Sequence, residues 1–165
     1  MPNFLKPLLL SLIFTLSLFA QVNCEQTQKV QSFVERFYTV VLNRSAENAG
    51  LDDWTNKLTS GALTGADVAN GFVLSQEFTN KHTTDEAYLH ILYKAFFNRE
   101  ADQGGFNGWM EELQNGTTRQ EVLHGFLYSQ EFINLANSYG IKAYEGAAFS
   151  SSLLTDLSND FTMLS

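Results

Sequence analysis

The stretch GFVLSQEF occupies residues 71–78, and GFLYSQEF occupies residues 125–132. Reading outward from either copy decides the architecture. Tyr38 set against Tyr93 aligns YTVVLNRSAENAGLDDWTNKLTSG with YKAFFNREADQGGFNGWMEELQNG without a gap. Asn43-Arg44 meets Asn98-Arg99, Ala46 meets Ala101, Gly50 meets Gly105, Trp54 meets Trp109, and Gly61 meets Gly116. One residue is dropped, and the register resumes with Val68 on Val122. Rare residue types keep their order over a period of about 55 residues, the mark of a duplicated supersecondary unit. The units span residues 27–81 and 84–137 of a domain covering residues 25–141.

Each unit reads as three helices. Val30, Phe33, Val34, Phe37, Val40 and Val41 recur at helical spacing in the first, and Leu89, Leu92, Tyr93, Phe96 and Phe97 repeat the pattern. Asn43 and Asn98 stand where a helix ends. Leu51, Trp54 and Leu58 share one face of a short second helix ended by Gly61. Thr64 and Thr118 open the third helix, which carries the repeated phrase. With no proline after position 7 and no alternating strand pattern, the expected fold is all-α, a compact bundle of about six helices.

Within the third helix, Gly71 and Ser75 are four residues apart, as are Gly125 and Ser129, so each pair falls on one face. A mid-helix glycine costs about 1 kcal/mol relative to alanine. Its presence in both copies implies a compensating contact, read here as a close-packing seam between helices. Phe72 and Phe126 lie on the same face and are expected as core aromatics. Trp54 and Trp109 lie on the apolar stripe and are expected in the core, not on a sugar-binding surface. On the same continuous helix, Glu77 and Glu131 would sit among apolar neighbours, where a carboxylate needs a partner. The repeated cations supply it, giving two buried structural ion pairs, Arg44 with Glu77 and Arg99 with Glu131.

The ends of the chain read differently. Residues 7–20, PLLLSLIFTLSLFA, are too short for a comfortable membrane span, which needs about 20 residues, and suit a signal-peptide core. Residues 1–24 are read as a leader, implying export and no transmembrane helix after its removal. Cys24, the single cysteine, excludes an internal disulfide. Gln21, Val22 and Asn23 depart from the aliphatic and small residues of a lipidation site, so a stray or discarded thiol is preferred over lipidation of Cys24. Leader removal deletes Lys6 and no acid, taking the net charge from −8 to −9. So acidic a chain, without a basic stripe, disfavours nucleic acid as a partner. Residues 142–165 fall outside the repeat, as a tail that forms a short helix or stays mobile.

The order NRSAENAGLDDW, GALTGADVANGFVLSQEF, AFFNREADQGGFNGW resembles the domain-of-unknown-function 4214 family of bacterial secreted and surface proteins. That family is distantly similar to the helical linker domains of phycobilisomes. The resemblance implies a helical fold and a cell-surface setting, and it brings no catalytic residues. Ala46 and Ala101 replace a proline usual in the family. The calcium repeats that accompany other members are missing, so calcium dependence is not carried over.

Of other site chemistries little stands. His82, His90 and His124 lack ligand spacing and repeat counterparts, and Asp52-Asp53 faces Asn107-Gly108 in the second copy, so no metal and no cofactor is expected. Ser75 and Ser129 lack the Gly-x-Ser-x-Gly context of a nucleophile. The favoured expectation is a non-catalytic module contacting an unknown protein or cell-surface polymer. Glycan recognition through exposed Tyr88, Tyr128 or Tyr139 comes second, and glycoside hydrolysis by the Glu77 and Glu131 carboxylates last.

Overall fold

The computed structural model describes residues 5–144 of the 165, with side chains from residue 23 onward. Residues 1–4 and the tail from residue 145 lie outside the described residues. Among the described residues all regular elements are α-helices: α1 (Leu5–Val40), α2 (Asn48–Thr59), α3 (Gly65–Val73), α4 (Gln76–Thr79), α5 (Asp85–Phe97), α6 (Gln103–Gln114), α7 (Arg119–Leu127) and α8 (Gln130–Ser138). No described helix is long and apolar enough to cross a membrane.

α1 and α5 form the centre. Phe33, Phe37 and Val41 from the first repeat meet Leu89, Leu92 and Phe96 from the second, all essentially without solvent exposure. The Phe37 and Phe96 rings meet edge to face at 5.6 Å, a geometry favoured by the aromatic quadrupole. The remaining helices wrap this pair. Phe72 reaches Phe37 from α3, and Phe126 reaches Phe96 from α7.

Local chemistry sets the helix ends. Asn98 caps α5 in the left-handed region (φ 54°), and Asn43 takes the same conformation (φ 51°) just past α1. An asparagine tolerates this at little cost. Thr64 and Thr118 open α3 and α7 through capping boxes closed by Asp67 and Glu121.

The expectation of three helices per repeat fails at one point, giving eight helices among the described residues where about six were expected. The third helix breaks at Ser75 and again at Ser129. Ser75 Oγ accepts from the Phe78 N–H at 3.1 Å and donates to the Phe72 carbonyl at 2.7 Å. Ser129 does the same with Phe132 (3.1 Å) and Phe126 (2.8 Å). Each serine thus ends one helix and N-caps the next, competing with the main-chain ladder. The repeated phrase is a helix–turn–helix joint.

Candidate functional site: the duplicated joint

The break moves every residue that follows it. Ser75 and Ser129 do not share a seam with Gly71 and Gly125; they are caps. The glycines instead seat tryptophans. A Cβ at Gly71 would lie 2.9 Å from Trp54 Cη2, and one at Gly125 would lie 2.5 Å from Trp109 Cη2. The three atoms nearest each such Cβ all belong to the tryptophan ring, not to a neighbouring helix backbone. Trp54 and Trp109 are half-buried, each against a phenylalanine of the same phrase, Phe72 at 5.6 Å and Phe126 at 5.7 Å. Phe72 and Phe126 themselves are buried.

The arginines close the joint. Arg44 Nε meets Glu77 Oε1 at 2.7 Å and Nη2 meets Oε2 at 3.2 Å, a two-pronged contact; Arg99 and Glu131 repeat it at 2.6 and 2.9 Å. Each guanidinium also lies over a tyrosine, Tyr38 at 5.0 Å or Tyr93 at 5.2 Å, and reaches an acid at the start of the second helix, Glu47 or Asp102. The pairing of Arg44 with Glu77 and of Arg99 with Glu131 is present, but it is not buried. Side-chain exposures are 34% and 44% in the first pair and 40% and 43% in the second. Because Ser75 turns the chain, Glu77 starts a new helix facing water and leaves the apolar neighbours that a continuous helix would have given it. Arg44 holds the Glu77 carboxyl below the usual carboxylate range, and Glu77 in turn raises Arg44.

Other candidates scatter. Tyr88 is buried, contrary to its reading as an exposed aromatic, and donates its hydroxyl to the Arg119 carbonyl at 2.9 Å. Tyr139 is packed on Phe33 and under Arg36, while Tyr128 is 38% exposed beside Tyr144. His90 stacks on Phe106, and His124 lies near Tyr128. Among the described residues no group of three or more His, Cys, Asp or Glu is placed to hold a metal ion. Cys24 is exposed on α1.

Two features lay outside the sequence reading. Arg36 is 8% exposed, donates to the Ala95 carbonyl and the Tyr139 hydroxyl, and leaves Nη2 without a hydrogen-bond partner. Burial lowers its pKa. The signal available was a cation three residues from Phe33 on the apolar stripe. The second feature is a groove of about 470 Å³ where the repeats meet, lined by Val73, Leu74, Phe78, His82, Tyr88 and Arg119. Leu74 stands 53% exposed at its mouth.

A helical core built twice, with its repeated polar residues joining helices within each copy, defines a duplicated all-helical domain. The family model described as "Domain of unknown function (DUF4214)" matches twice, over residues 14–82 and 69–136. The chain belongs to that family. No curated protein and no solved structure matches the chain.

Proposed function

We propose that the chain is an exported, non-catalytic helical interaction module that mediates assembly or adhesion at a bacterial cell surface through protein contacts. The carrying observation is where the repeated side chains go. Arg44, Glu77 and Trp54, with their counterparts Arg99, Glu131 and Trp109, are all engaged in holding their own repeat together. Among the described residues the apolar groove with Leu74 at its rim is not consumed in this way, and exposed apolar surface of that kind marks a place where a segment of chain docks. The apolar stretch at residues 7–20 supports export.

The hydrolase reading loses support from Glu77. A general acid needs a raised pKa at neutral pH, whereas Arg44 lowers this one. Glycan recognition retains Tyr128 of its three tyrosines.

Binding of the purified mature protein to envelope fractions of its source cells tests the proposal. Binding abolished by protease treatment of the envelope supports it. Protease-resistant binding matched on a glycan array would overturn it in favour of sugar recognition. Release of reducing ends from envelope polysaccharide would overturn the non-catalytic assignment.

A further inference from the structure

The groove between the repeats has a twin that is already filled. At the start of α3, the Gly65 N–H donates to the Lys142 carbonyl and the Ala66 N–H to the Ala143 carbonyl, both at 2.8 Å. Residues 141–144 thus run across that helix end as a strap. Ile141 and Ala143 are buried, and Tyr144 meets Tyr128 at 5.2 Å. Phe33 and Phe132 form the floor, close enough that a Cβ on Gly65 would lie 3.3 Å from the Phe132 ring.

Exchanging the repeats by their sequence alignment turns Gly65 into Arg119, Ala66 into Gln120, Phe132 into Phe78, Phe33 into Tyr88 and Tyr128 into Leu74. These five residues line the single 470 Å³ groove described above. Among the described residues, neither the Arg119 nor the Gln120 N–H has an acceptor. Such groups at a helix start want one. The copies differ most in one wall. The Arg119 guanidinium lies over Tyr88 at 4.8 Å and is anchored to Asp85 and Thr83, so it edges the groove where the first copy has bare glycine.

We propose that this groove is a second peptide-docking site, and that residues 149–154 of the same chain fill it, their carbonyls accepting from Arg119 and Gln120. Reach and chemistry select this occupant. Tyr144 sits at Tyr128, the C-cap of α7, and the groove opens at the other end of that helix. Nine residues of helix span about 14 Å, a distance that four or five extended residues cover at about 3.3 Å each. The sequence arriving there is FSSSLL: three small serines that let the main chain approach, then two leucines for the wall made by Leu74 and Phe78. A tether this short holds the segment at about millimolar effective concentration.

Hydrogen exchange at single amides of the full chain tests this. The filled site provides the control, because Gly65 and Ala66 should be protected in every variant. Arg119 and Gln120 should be protected in the parent chain. Exchange at both should accelerate at least about tenfold in Leu74→Asp, and equally in the double variant Leu153→Asp/Leu154→Asp. Either variant leaving Arg119 and Gln120 unchanged, with Gly65 and Ala66 still protected, overturns the proposal. So does protection at Arg119 and Gln120 that rises with protein concentration, which would assign the groove to a second copy.

Discussion

Gly125→Ala separates a glycine kept to seat an indole from one that is merely tolerated. Alanine inside a helix is favoured over glycine by about 1 kcal/mol. At Gly108, in the middle of α6, an added Cβ meets nothing within 4 Å, so Gly108→Ala should gain about that amount. At Gly125 the Cβ would lie 2.5 Å from Trp109 Cη2 and 3.0 Å from Cζ2. The indole is held against Phe126, so it must move or strain, and overpacking of this kind costs about 1–3 kcal/mol. Net of the helix gain, Gly125→Ala should be destabilising by up to about 2 kcal/mol. Gly71→Ala, with its nearest ring atom at 2.9 Å, should fall between the two. Urea melts of the three variants read the order directly. In a Trp109→Ala background the clash disappears, and Gly125→Ala should stabilise as Gly108→Ala does. A Gly125→Ala chain as stable as Gly108→Ala with Trp109 in place would refute the reasoning.

Ser129→Ala removes a cap and should cost about 1 kcal/mol in a urea melt, with Ser75→Ala similar and the two additive; no loss in either would mean that the phrase can run as one helix. In acid, Glu77 is held low by Arg44, Glu121 by the Thr118 N–H and Asp102 by the Gly105 N–H. Their stabilisation is therefore complete above the ordinary carboxylate range near 4 and is lost as pH falls through the lowered values. Glu77→Gln with Glu121→Gln should flatten that acid slope, and an unchanged slope would contradict the assignment. Burial pushes the Tyr88 hydroxyl up to about 12. The protonated phenol's contribution is full below about 10 and disappears as pH rises towards 12, so Tyr88→Phe should remove an alkaline loss measured by circular dichroism.

The duplication and the helical fold were legible because Trp, Asn-Arg and Ser-Gln-Glu-Phe are rare and keep their register. Arg44 and Glu77 could be matched from that register alone. Their exposure could not, because it depends on whether the chain turns at Ser75. Serine reads equally as a small packing residue and as an N-cap, and only the Phe72 carbonyl and Phe78 N–H around it decide. The same ambiguity hid the tryptophan seat behind an apparent helix seam. Arg36 carries no such register signal, because it has no repeat partner, Ile91 standing in its place. The strap at residues 141–144 lay beyond the last recognisable repeat residue, and main-chain carbonyls leave no trace in side-chain patterns.

That strap also governs how such a chain could lengthen. The Gln26 side chain donates to the Tyr139 carbonyl across 113 residues, Arg36 reaches the Tyr139 hydroxyl across 103, and the start of α3 is capped by residues 142 and 143. In open solenoids each unit touches only its neighbours, so units can be added at an end and can unfold one by one. Here the segment after the second copy returns to the first. Among the described residues the pair closes on itself, an internal dimer and not an open stack. Without the second copy the start of α3 loses two main-chain acceptors and Phe37 loses the edge of Phe96, which favours growth in whole pairs over the addition of one unit.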